Sequence, residues 1–216
     1  PTAVLATNLA AIVNPEVRAD LRHLPAVGYP RTPGDEYANS AAQAGYDADA
    51  IRTLREAIAL KAFYQSYGDK RELIADLLFG DRALATHASQ QFRERVAEEV
   101  RTAEPHIDRR AVDGRTLGVL DLEAYTHQYD FPPATILLAE LADRTGLDAV
   151  VGITEDSLHV WSPDVVDMRT VGDRTSEAVP DGGVETVGSR DGYLRFLVGR
   201  REAVTEAAVD AIAERL

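Results

Sequence analysis

Up to about residue 104 the apolar positions recur every three or four residues. From Arg115 onward, short continuous apolar runs alternate with helical stretches. In PTAVLATNLAAIV, Val4, Leu5, Leu9 and Ile12 predict a helix, which Asn14-Pro15 ends, because a residue before proline is pushed out of helical geometry. Pro25, Pro30, Pro33 and Gly34 then mark a linker or domain edge. Residues 47–104 read as helical throughout. Asp47 is a candidate N-cap for a helix with Ile51, Leu54 and Ile58 on one face. Asp69 can cap a second helix that buries Leu73, Ile74, Leu77 and Leu78 and is closed by Gly80. A third carries Phe92, Val96 and Val100 on one stripe. Its charged run RERVAEEVR reads as a solvated face rather than a binding site.

Beyond Arg115, TLGVLDL (116–122) predicts a buried strand and DFPP (130–133) a turn. Pro133 suits the first position of the helix ATILLAELADR, and Gly146 the residue past its end. DAVVGIT (148–154) and SLHVWS (157–162) predict two more strands, and the two-residue break Glu155-Asp156 between them implies a hairpin. DVVDMRTVGDRTSEAV predicts a helix, YLRFLVG (193–199) a fourth strand, and REAVTEAAVDAIAERL a closing helix. The fold class is therefore α/β: a helical N-terminal and connector region followed by a small α/β domain on a mixed sheet.

The 216 residues suit one large domain or two small ones, and the 45% apolar content is ordinary. No apolar run approaches the ~20 residues that span a bilayer. The first residues lack the basic segment of a signal peptide. The chain begins at Pro1 without Met and reads as a piece of something longer. The absence of cysteine excludes disulfides and thiolate metal sites and fits a reducing, cytoplasmic setting. Charge changes the picture more. The net charge is −13, and only Lys61 and Lys70 are lysines. An acidic, lysine-poor surface points to a halophilic source, where salt screens the self-repulsion; a GC-rich genome that favours Arg codons gives the same bias. Net acidity argues against nucleic-acid binding in general, though a local Arg site can still hold phosphate.

The five histidines, His23, His87, His106, His127 and His159, form no HxxxH pair, and no GxSxG, P-loop or GxGxxG occurs. What remains is polar chemistry on strands. Alternation puts Ser157, His159 and Trp161 on one face, and Tyr193, Arg195 and Leu197 on one face of the last strand. If these faces coincide, His159, Trp161, Tyr193 and Arg195 form a platform on which rings stack bases and Arg holds phosphate. The alternative is that Trp161 is core and His159 is satisfied by a neighbour. DLEAYTHQYDFPP gathers Asp121, Glu123, Tyr125, His127, Tyr129 and Asp130 just past a strand, as a site or as an ordinary polar loop.

The order of these motifs resembles the C-terminal part of the DHH-superfamily phosphoesterases, the RecJ-like nucleases and exopolyphosphatase-related proteins, especially the archaeal ones. TAVLATNLAAIV followed by DLRHLPAVGY is similar to the end of the catalytic DHH domain (1–34). Residues 35–112 resemble its helical connector. Residues 113–216 resemble the DHH-associated, substrate-binding domain, through GRTLGVLDLEAYTHQYDFPPATILLAEL, LHVWSPDVVDMRTVG and VGSRDGYLRFLVG. The resemblance implies a catalytic domain that holds two metal ions, commonly manganese or else magnesium, whose bound hydroxide attacks phosphorus. The associated domain closes over the substrate.

This chain departs from that pattern. It has no Asp-His-His triplet. Its DAD at 47–49 starts a connector helix, and the late metal-ligand Asp is not evident at Tyr29-Pro30. No cofactor is therefore expected in this chain itself. In the family's Gly-Gly-His loop, Gly188 matches the first glycine, Ser189 replaces the second, and Arg190 stands where His would be. Backbone N–H groups of such a loop can still face an anion, and Arg190 can grip phosphate bidentately. The expected substrate-binding set is Gly188, Ser189, Arg190, Tyr193, Arg195, His159, Trp161, Ser162 and His127, with no catalytic residue. The expected partner is single-stranded nucleic acid or a phosphorylated small molecule, not a membrane; a homodimer stays open. Two other readings stand beside it: a catalytically inactive nucleic-acid-binding or docking module of replication and repair, and an unrelated α/β domain without phosphate chemistry.

Overall fold

The computed structural model describes residues 48–64, 82–125, 131–163, 166–188 and 192–216. The helix expected between Asp69 and Gly80, and everything before residue 48, lie outside the described residues. The chain divides into two units, 1–95 and 96–216.

In the first unit, α1 (Ala48–Tyr64) and the start of α2 (Arg82–Ala103) are joined by polar contacts. Glu56 Oε2 accepts from the buried Ser89 hydroxyl at 2.5 Å and from Arg93 Nε at 2.7 Å. Arg95 donates to the Tyr64 hydroxyl at 2.6 Å. Ala57, Ile58 and Leu60 of α1, and Ala85, Ala88 and Phe92 of α2, are buried, as the helical spacing requires.

The second unit is a six-stranded sheet in the order β1-β2-β3-β4-β6-β5. The strands are β1 (Asp108–Val112), β2 (Arg115–Asp121), β3 (Ala149–Ile153), β4 (Ser157–Trp161), β5 (Glu185–Val187) and β6 (Tyr193–Arg195). Among the described strands only β2 and β3 run parallel, so the sheet is mixed as expected. A short helix α3 (Leu122–Tyr125) and the helix α4 (Ala134–Thr145) make the crossover between them. Helix α5 (Met168–Ala178) links β4 to β5, and α6 (Arg201–Ala213) closes the chain.

Two strands add to the four expected. β1 lies in DRRAV, inside the stretch read as connector, and its charges hide the strand pattern. As an edge strand it tolerates them, and Arg110 pairs with Asp108 and Glu206. Asp113 (φ 50) and Gly114 (φ 80) turn it into β2 through a left-handed two-residue turn. β5 is only three residues long, too short to leave a period. The last strand is also shorter than 193–199. After Arg195 the backbone finds other partners: Phe196 N–H donates to the Asp156 carbonyl at 2.9 Å and Leu197 N–H to that of Gly182 at 2.9 Å. Pro133 stands one place before α4 rather than inside it, with an extended ψ of 148°; its carbonyl accepts from Ile136 and Leu137. Gly146 ends α4 in the left-handed conformation at φ 66°, as expected.

The sheet faces are covered unequally. On one face Leu117, Val119, Val151, Ile153, Leu158 and Leu194 pack against Met168 and Val171 of α5 and Val204, Ala208, Val209 and Ile212 of α6. Full burial of each such side chain contributes roughly 1.5–3 kcal/mol. On the other face Gly152 lets the helical layer approach: a Cβ there would stand 3.0 Å from both Leu122 of α3 and Leu138 of α4. Further along that same face, β5 and β6 carry the exposed Glu185 and Arg195 and the half-buried Val187 and Tyr193.

Candidate functional site

Strand register decides which of the expected residues meet. β4 and β6 pair antiparallel with Ser157 opposite Arg195, Leu158 opposite Leu194 and His159 opposite Tyr193. Directly opposed residues share a face. The fully buried pair Leu158 and Leu194 therefore faces the α5/α6 core, which turns Ser157, His159, Tyr193 and Arg195 to the opposite face. Trp161 joins them by strand period. It sits half-buried opposite Val150, at the far end of β4 from the β3–β4 turn.

The four do not form a flat platform. The His159 and Tyr193 rings stack on each other, with centroids 4.9 Å apart and planes inclined by 22°. The Arg195 guanidinium lies 5.8 Å from the Tyr193 centroid. One ring face of His159 and one of Tyr193 are thus taken by each other. What the pile offers outward is a cation and ring edges rather than a broad stacking surface. Such contacts contribute about 0.5–1.5 kcal/mol for the ring pair and about 0.5–1 kcal/mol for the cation at an exposed site. Arg195 is exposed, and among the described residues no carboxylate pairs with it, although Glu185 stands opposite it in register. By contrast Arg93, Arg110, Arg144, Arg174, Arg200 and Arg201 all carry carboxylate partners.

Behind the imidazole stands a hydroxyl pair absent from the expected set. Ser157 Oγ lies 3.5 Å from His159 Nε2 and 2.6 Å from Thr154 Oγ1. The Ser157 backbone N–H donates to Thr154 Oγ1 at 3.0 Å. Both residues are buried. Burial pushes the His159 imidazole below the ordinary histidine value, which favours the neutral ring. The sequence signal for this pair is the hairpin TEDS, in which Thr154 and Ser157 bracket the turn and can close it with their own hydroxyls.

The remaining expected residues fall elsewhere or outside the described chain. Gly188 is described, with φ +82°, and opens the loop between β5 and β6 whose last rung is Val187 with Tyr193. Gly192 closes that loop; a Cβ on it would stand 2.6 Å from the Val187 carbonyl oxygen and 3.0 Å from Gly188 C. Ser189 and Arg190 between them, and His127, lie outside the described residues. Ser162 Oγ donates to the Asp148 carbonyl at 3.1 Å, a contact that ties down the end of β4. Elsewhere in the second unit, Arg201 pairs with Asp121 at 2.6 Å and Glu123 at 3.8 Å, and Asp121 accepts from the backbone N–H of Glu123 and Ala124. That acidic pair is engaged in holding α3 to α6. Among the described residues no three His, Asp or Glu side chains converge as a metal site needs, so these residues do not fit the family's metal pair. No described helix is long and apolar enough to cross a membrane.

No protein-family model and no curated protein matches the sequence. The chain is similar to the solved DHH domain of a member of the s1p family of ribosomal proteins, at 25% identity and a TM-score of 0.76 over 95% of this chain. It spans about half of that structure, 52%. A second solved structure, RecJ in complex with Mg2+ from Thermus thermophilus, is 16% identical with a TM-score of 0.46, covering 100% of this chain and 35% of that one. The order of motifs in the sequence and the fold shared with a DHH-domain protein over 95% of this chain support a DHH-superfamily, RecJ-like assignment.

Proposed function

We propose that this chain is the substrate-binding portion of a RecJ-like, metal-dependent phosphoesterase acting on phosphodiester or phosphoanhydride bonds, and that it holds single-stranded nucleic acid or a short oligonucleotide at the His159–Tyr193–Arg195 stack. The observation that carries this is Arg195: an exposed guanidinium resting on a stacked ring pair, without a carboxylate partner among the described residues, in a chain whose net charge is −13. Arg109 and Arg215 likewise show no carboxylate pair among the described residues, and what sets Arg195 apart is its place beside a stacked ring. Its planar fork suits a phosphate oxygen pair. Bond cleavage is assigned to the metal-binding part of the parent protein, not to these residues.

The test is binding of a short oligothymidylate to the 216-residue chain across a salt series. Arg195→Ala should weaken binding by about tenfold and lessen the slope of log K against log salt by about 0.7, the share of one single-strand phosphate contact. Arg195→Lys should restore the slope but not the full affinity, because lysine keeps the charge and loses the planar contact with Tyr193. Equal binding by Arg195→Ala and wild type overturns the assignment.

A second reading is a catalytically inactive nucleic-acid-binding or docking module. An Asp-His-His triplet in the reading frame upstream of Pro1 would sink it.

A further inference from the structure

We infer that anion binding at the stack is coupled to uptake of one proton by His159, so that the site grips a phosphodiester strand more tightly as the pH falls. This rests on the site reading above and adds its regulation.

The geometry carries it. His159 stacks on Tyr193, and Tyr193 lies beneath Arg195, so the imidazole sits one ring away from the cation that would meet phosphate. Its Nε2 faces Ser157 Oγ, and that hydroxyl in turn faces Thr154 Oγ1. A hydroxyl both donates and accepts. With a neutral ring whose Nε2 lacks a proton, Ser157 donates to Nε2. With imidazolium, Nε2–H donates to Ser157, and the Ser157 hydrogen turns to Thr154, whose own hydrogen can go to the Ser157 carbonyl at 3.3 Å. Protonation thus needs only hydroxyl rotation, with no heavy-atom movement.

In the free protein burial disfavours imidazolium. The neighbouring elements supply little compensation. β3 presents Val150 and Gly152 to this face, β4 Ser157 and Trp161, and β6 Tyr193 and Arg195. Glu185 of β5 lies opposite Arg195, one strand further out. Glu155 and Asp156 are exposed on the β3–β4 turn, and Asp156 Oδ1 stands 3.4 Å from Thr154 Oγ1 as a second acceptor for its hydrogen. On α4, Glu140 and Asp143 are exposed, and Arg144 pairs with Glu104. A bound phosphodiester changes the balance: it neutralises Arg195 and places negative charge beside the ring, which favours imidazolium. Between the lowered value in the free protein and the raised value in the complex, affinity then climbs by up to about tenfold for each pH unit lost.

The experiment is calorimetry of the full chain with an oligothymidylate that carries hydroxyl at both ends, since its diester charges do not titrate between about pH 5 and 8. Two buffers of different ionisation enthalpy give the protons taken up. Wild type should absorb a substantial fraction of one proton, and His159→Gln should absorb less and bind with a flatter pH profile. Ring NMR of His159 in the unsubstituted protein should show its titration moving upward when the oligonucleotide is added, a readout that stands even if His159→Gln does not fold. Equal proton uptake by wild type and His159→Gln, or an unmoved His159 titration, overturns the coupling while the binding site stands. No binding by wild type, or full binding by Arg195→Ala, overturns the site and the coupling together.

Discussion

The imidazole of His159 and the phenol of Tyr193 lie nearly parallel across β4 and β6, 4.9 Å between centroids. The contact fixes the two rings against each other over the sheet and gives Arg195 something flat to rest on. Tyr193→Ala should therefore weaken oligothymidylate binding by about tenfold, because Arg195 loses its support. Tyr193→Phe keeps the ring and should stay within about twofold. Fluorescence anisotropy with a labelled strand measures both, and unchanged affinity in Tyr193→Ala would remove the stack from the site.

The hairpin that presents Tyr193 depends on a close backbone approach. A methyl at Gly192 would meet the Val187 carbonyl, part of the rung that closes the loop. Gly192→Ala should cost about 1–3 kcal/mol, seen as a Tm lower by several degrees. Gly199→Ala is the matched control, since nothing lies within 4 Å of the added methyl. Comparable Tm losses in the two variants would contradict the crowding at Gly192.

His159 also makes folding pH-dependent. Its value in the folded chain is lowered by burial, so the unfolded chain binds more protons in the window between that lowered value and about 6.5. Stability is therefore unpenalised above about pH 6.5 and declines as the pH falls through that window. His159→Gln should show a shallower loss of Tm from about pH 7 to pH 5 than wild type. Parallel Tm profiles would refute a desolvated histidine.

In the first unit, Glu56 accepts two hydrogen bonds from α2. Glu56→Ala leaves the buried Ser89 hydroxyl without that partner and should cost about 1–3 kcal/mol. Glu56→Gln keeps an acceptor oxygen and should cost less. Urea denaturation followed by circular dichroism tests the order.

The fold was legible wherever burial was strong enough to write a period. β2, β3 and the helices α4 and α6 bury many of their apolar positions, so their runs stand out. β1 and β5 lie at the two edges of the sheet, where one side of the strand has no neighbour and little burial constrains composition. Asp113-Gly114 was the available sign of β1. For the candidate site, alternation alone put His159 with Ser157 and Tyr193 with Arg195. It could not give the register that sets His159 against Tyr193, because that depends on β6 pairing with β4 after the excursion through α5 and β5. Nor could it show that the rings stack on each other, or that Thr154 and Ser157 share a hydroxyl contact, since both depend on side-chain packing in three dimensions.

The order β4-β6-β5 has a consequence for how the chain is made. β4 emerges from the ribosome well before its partner strand β6, with α5, β5 and the hairpin loop between them. Until Tyr193 and Arg195 have left the exit tunnel and paired, His159 is a lone half-finished edge. Any growing or truncated chain that stops before Tyr193 lacks the stack entirely.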